Sequence, residues 1–95
     1  MDIETLRTHK QEIIALANQY GAGNIRVFGS VARGEANKSS DIDLLIDIQK
    51  DKSLMDFARL KVSLEDLLGE DVDLVESGSI KPRLKQFVDE DSVPL

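Results

Sequence analysis

Cysteine is absent from the 95 residues, and histidine occurs once, at position 9. The first absence removes disulfides, thiolate zinc sites and cysteine nucleophiles together. The second removes any histidine-rich metal site, and a Ser-His-Asp triad would have to recruit His9 from the N-terminal segment. Long apolar runs are missing too. The longest, Ile13 to Ala17, falls far short of the ~20 residues that span a bilayer. The opening MDIETLRTHK lacks the basic and apolar regions of a signal peptide, so a cytoplasmic protein without membrane contact is expected. Positive charge is scarce: 12 Lys and Arg stand against 18 Asp and Glu, a formal charge of −6. Such a balance argues against direct nucleic-acid binding, which relies on neutralising many phosphates with basic side chains. Phosphate chemistry on this chain would have to run through a cation held by its carboxylates.

What is present reads as one small domain over residues 1–95, with no repeat, low-complexity segment or linker. Asp2 to Asn18 carries Ile3, Leu6, Ile13, Leu16 and Ala17 at helical spacing and stops at a Gly21–Asn24 turn. Ile25 to Phe28 reads as a strand ending in Gly29-Ser30, and Val31 to Ala36 as one or two helical turns. Asn37 to Ser40 is a polar turn. Asp41 to Ile48 is the strongest strand, and its Leu44-Leu45-Ile46 run suggests burial on both faces and a central position. Ser53 to Leu68 is a helix with Ser53 as N-cap and Gly69 as its stop. A third strand, Val72 to Val75, precedes a last helix from Ile80 to Val88 with Pro82 near its start. The order α-β-(α)-β-α-β-α predicts a small mixed α/β (α+β) sheet flanked by helices.

Eleven aspartates in 95 residues produce about one Asp-x-Asp by composition alone, and the chain has three. Context separates them. Asp89-x-Asp91 ends the last helix, where a charge cluster is ordinarily solvated. Asp41-x-Asp43 opens a strand that otherwise reads as buried, and residues two apart on a strand share a face. Paired carboxylates there repel unless a divalent cation lies between them, and Mg²⁺ takes such ligands together with substrate phosphates. Asp73 would join them if the Val72–Val75 strand lies alongside. Spacing alone also allows the plainer reading, that all three end strands in an acidic protein. Phe28-Gly29-Ser30 is the second piece, because a strand ending in Gly-Ser offers backbone N–H groups and a hydroxyl to a phosphate. Ten residues separate Ser30 from Asp41, enough to bring the two pieces side by side.

Gly29-Ser30, ten residues, then Asp41-x-Asp43 resembles the signature of the polymerase-β-type nucleotidyltransferase superfamily. The runs Phe28 to Glu35 and Ser40 to Ile46, with Asp71 to Val75 and the ending Ser92 to Leu95, resemble its minimal nucleotidyltransferase (MNT) members. The resemblance implies a polymerase-β-like core without an added helical domain. It implies that Asp41, Asp43 and Asp73 are the catalytic carboxylates and the ligands of two Mg²⁺ ions. It also implies that Gly29 and Ser30 grip the phosphates of ATP and that Arg33 touches the triphosphate, a solvent salt bridge being the other reading of that arginine. Val31 stands where many relatives carry a basic residue.

Larger superfamily members complete their site with a helical domain, so a second polypeptide is expected here. The resemblance supplies it: MNT proteins are commonly antitoxins of HEPN-type ribonuclease toxins, and can transfer AMP from ATP to a toxin tyrosine. The alternatives are an antitoxin that neutralises by binding alone and a nucleotidyltransferase acting on a small molecule. His9 reads as a surface or packing residue and Tyr20 as a packed cap. Lys81, Arg83 and Lys85, the one basic cluster, read as a solvated helix face or as lining the partner or triphosphate side, and Asp47 lies too far along its strand to join the site.

Overall fold

The computed structural model describes residues 1–35 and 41–95, and the expected Asn37–Ser40 turn lies outside them. Asp2 starts α1 (Ile3–Thr8) by accepting the Thr5 backbone N–H at 2.7 Å. The expected single helix then divides. The His9 N–H bonds to the Leu6 carbonyl three residues back, a tight 3₁₀-type closure, and α2 restarts over Lys10–Gln19. Leu6 of α1 and Ile13 and Ala17 of α2 still enter one core. Tyr20 caps α2 and packs against that core, as the sequence suggested.

β1 covers Ala22–Phe28, three residues more than expected at its start. The extra length passes through Asn24 at φ 48° and an irregular register between Gly23 and Arg26, a bulge that periodicity does not reveal. A single turn of helix, α3 (Gly29–Arg33), follows. β2 (Ile42–Ile48) runs antiparallel to β1 and parallel to β3 (Val72–Glu76), and β4 (Val93–Pro94) closes the other side of β1. The strand order is β3-β2-β1-β4, which makes β2 central and the sheet mixed. The α+β expectation holds. β4 was not anticipated as a strand; Arg7 secures it by donating to the carbonyls of Pro94 and Leu95 at 2.9 and 3.2 Å.

α4 (Leu54–Leu68) lies with α1 and α2 on one face of the sheet, contributing Leu60, Leu64 and Leu68 to the core. Its start is a full capping box: Ser53 Oγ accepts the Asp56 N–H at 3.2 Å, and Asp56 Oδ2 accepts the Ser53 N–H at 3.0 Å. Ser53→Ala should therefore cost about 1 kcal/mol. In a domain of this size that lowers the melting temperature by roughly 4–8 °C in calorimetry. An unchanged melting temperature would mean the cap contributes nothing. After β3, a 3₁₀ turn (Ser77–Ser79) leads into α5 (Pro82–Asp91), which starts two residues later and runs three residues further than expected. Among the described residues no helix is long and apolar enough to cross a membrane.

Side-chain alternation along β2 decides where chemistry can occur. Ile42, Leu44 and Ile46 are buried in the helix-side core, which leaves Asp43, Leu45 and Asp47 on the opposite face. Leu45 is also buried, outside that core, so the Leu44-Leu45-Ile46 run is covered on both sides.

Candidate active site

The parallel register of β2 and β3 sets Asp43 directly beside Asp73. On the other flank the antiparallel register sets Asp43 beside Phe28, the last residue of β1. The chain then turns at Gly29 with φ 71°, in the left-handed region, and a Cβ there would collide with Asp43 Oδ2. Glycine is required twice over, by conformation and by space. The turn thus brings the Gly29-Ser30 backbone against the Asp43 carboxylate, uniting the two pieces that sequence spacing had only suggested.

Asp43 is half-buried and its pKa is raised. Desolvation is the main cause, followed by the negative charges of Asp73 and Asp41 and by a hydrogen bond to Asp73; Arg33 opposes them. Asp41 stands exposed just before β2, close enough for its charge to be felt at Asp43. All three expected carboxylates therefore share one end of one face. They form a close pair with a charged neighbour: among the described residues, no three His, Cys, Asp or Glu side chains already stand as a closed metal-binding group. The set still suits a hard cation, since all three side chains are carboxylates and one arginine only partly offsets their charge.

Arg33 ends α3 at the site's rim. Its Nε donates to Glu35 Oε2 at 3.1 Å, and its Nη1 lies 3.8 Å from Asp91 Oδ2 of α5. Val31 is buried in the core, on the side of the sheet away from Asp43.

The nucleotidyltransferase domain family model matches residues 6–95. The chain belongs to that family. It is 43% identical over 88 residues to the protein adenylyltransferase MntA of Thermococcus cleftensis, covering 92% of this chain and 86% of that one. A solved structure assigned as a minimal nucleotidyltransferase superposes with a TM-score of 0.90 at 47% identity, covering 100% of this chain and 97% of that one. A chain from a toxin–antitoxin crystal structure with AMP-PNP superposes with a TM-score of 0.76 at 28% identity, covering 90% of this chain and 70% of that one.

This nucleotidyltransferase domain holds a second polar group that sequence reading left out. Asp47 accepts hydrogen bonds from the Ser77 hydroxyl, from Asn24 Nδ2 at 2.9 Å and from Arg26 Nη2 at 2.8 Å. These partners, Ser77 foremost, hold the Asp47 carboxyl below its usual range. Asp47 is thus a fastener between β1, β2 and the 3₁₀ turn. Asp89 and Asp91 depart from their reading as freely solvated charge. Asp89 lies 3.8 Å from Arg26, and Asp91 3.8 Å from Arg33, so both tie α5 to the Asp43 face. The one signal for this in the sequence is their i, i+2 repetition, which does not name an arginine partner. His9 lies away from these groups, with Glu12 at 3.9 Å, and takes no part in the site.

Proposed function

We propose that this chain is a Mg²⁺-dependent protein adenylyltransferase that transfers AMP from ATP to a tyrosine hydroxyl of a HEPN-type ribonuclease toxin, and so acts as its antitoxin. The observation that carries this reading is the Asp43–Asp73 pair, set against Gly29 at the end of β1 in a chain of the nucleotidyltransferase family. Likeness to a named protein adenylyltransferase and to a toxin–antitoxin complex with AMP-PNP supports the acceptor class.

In this reading Asp41, Asp43 and Asp73 hold two Mg²⁺ ions. Held there, the cations would supply positive charge against the triphosphate and would favour ionisation of the attacking hydroxyl. The Gly29 and Ser30 amides and the Ser30 hydroxyl receive the β- and γ-phosphates. Arg33 exchanges Glu35 and Asp91 for phosphate oxygens. The acceptor oxygen attacks the α-phosphorus in line with the bridging oxygen to the β-phosphate. A new O–P bond forms, the old one breaks, and pyrophosphate leaves with the electron pair. Asp73 takes the hydroxyl proton.

The test is mass spectrometry of the toxin after incubation with ATP, Mg²⁺ and this protein. AMP adducts on tyrosine are expected, with none from the Asp41→Asn/Asp43→Asn double variant. Transfer by that variant at the wild-type rate would remove the carboxylates from the mechanism. Neutralisation by binding alone makes a different prediction: the same variant would protect cells from the toxin as well as wild type does.

A further inference from the structure

The helix that leaves the 3₁₀ turn is unusual in having no buried residue. Every position from Lys81 to Phe87 is exposed, and Leu84 and Phe87 keep 48% and 65% of their surface in water. Amphipathic helices ordinarily turn such residues inward. α5 is nevertheless fixed in place, because Asp89 and Asp91 in its last turn reach Arg26 and Arg33, and β4 follows at once. Its C-terminal end is thus anchored beside the Asp43 face, while its first two turns stand free with an apolar and basic surface. Among the described residues, Lys81, Arg83 and Lys85 form no ion pair, although the chain as a whole is acidic.

We propose that the first two turns of α5 are the docking helix for an acidic protein partner, with Phe87 and Leu84 as its apolar anchors and Lys81, Arg83 and Lys85 as its charged rim. The partner's complement is an apolar recess bordered by Asp and Glu. Charge argues for this occupant: three unpaired cations on a chain of charge −6 make a local attraction for carboxylates. A polynucleotide would meet the carboxylates of Asp89, Glu90 and Asp91 within the next turn, and they repel its phosphates. Position argues for it as well. Asp89 ties the end of α5 to Arg26 of β1 and β4 follows at once, so a protein seated on α5 lies beside the Asp43 face. This inference rests on the proposed function and names the surface through which the acceptor is presented.

The experiment is titration calorimetry of the full-length protein with the HEPN toxin as probe. Two variants are compared with wild type: Leu84→Ser/Phe87→Ser, and Lys81→Glu/Arg83→Glu/Lys85→Glu. Each should raise Kd at least about tenfold. The charge-reversed variant should also lose the salt dependence of the association rate. Both should retain the thermal shift that MgATP gives wild type, because these residues lie outside the nucleotide machinery. If either variant fails to fold, Phe87→Ala alone serves, with the same direction of effect. Wild-type affinity in the variants would overturn the docking helix while leaving adenylyl transfer intact. Failure of wild type itself to bind the toxin would overturn the proposed function and this surface with it. Binding of a short single-stranded RNA that charge reversal abolishes, with toxin affinity unchanged, would replace the protein occupant by a nucleic acid.

Discussion

Asp43→Asn should yield a protein that melts higher than wild type and transfers AMP at least ~10³-fold more slowly. The two effects have one origin. The Asp43 carboxyl is partly desolvated and faces Asp73 and Asp41, which raises its pKa. A carboxyl raised above its unfolded value binds its proton more tightly in the folded state, so its ionised form costs stability at neutral pH. Asparagine keeps the shape and the hydrogen bond to Asp73 but removes the repulsion. As pH falls through the raised pKa, wild-type Asp43 takes up its proton and the advantage of the variant should shrink. Differential scanning calorimetry at neutral and at mildly acidic pH checks the sign. A variant that melts below wild type at both would show that this carboxylate stabilises the fold. MgATP should raise the melting temperature of wild type and leave that of the variant nearly unmoved.

Gly29→Ala should have the second largest effect. At φ 71° an added Cβ strains the backbone, and it also strikes Asp43 Oδ2, a group too close to its own main chain to move aside freely. The expected cost is about 1–2 kcal/mol of stability. Displacing Asp43 from Asp73 should lower transfer by about 10²-fold. Gly34 supplies the control. It adopts φ 74°, yet among the described residues a Cβ there meets nothing within 4 Å. Gly34→Ala should show the strain of about 1 kcal/mol without comparable loss of transfer. Equal activity losses in the two variants would mean that backbone strain, rather than the collision with Asp43, governs the site.

Local pattern made the outline of this molecule legible, and long-range pairing supplied the rest. The Leu44-Leu45-Ile46 run located the central strand because burial on both faces requires apolar residues in succession. Ser53 and Gly69 marked the ends of α4 because capping chemistry is local. The break at His9 was hidden: both halves present apolar residues to the same core, so the periodicity runs through a junction where the hydrogen bonding changes. β4 was hidden for a different reason, since two residues carry no alternation and become a strand through pairing with β1. The site divides likewise. Gly29-Ser30 and Asp41-x-Asp43 could be found by spacing, whereas the contact of Asp43 with Asp73 depends on which strands lie side by side. The ties from Asp89 and Asp91 to Arg26 and Arg33 join residues more than fifty positions apart, and no local pattern encodes them.

The alternation along β2 has a consequence for how such a protein can change over generations. Ile42, Leu44 and Ile46 serve the core, while Asp43 and Asp47 serve the other face, and a substitution in one set leaves the side chains of the other pointing where they were. The core set can therefore drift in stability with little change in chemistry, whereas the charged face is constrained twice, by the Asp43–Asp73 pair and by the ties that Asp47 makes to Asn24, Arg26 and Ser77. Leu45 is held as well, because it is buried on the charged face. Lineages of this fold should therefore exchange one apolar residue for another at Ile42, Leu44 and Ile46 more readily than they change Asp43, Leu45 or Asp47.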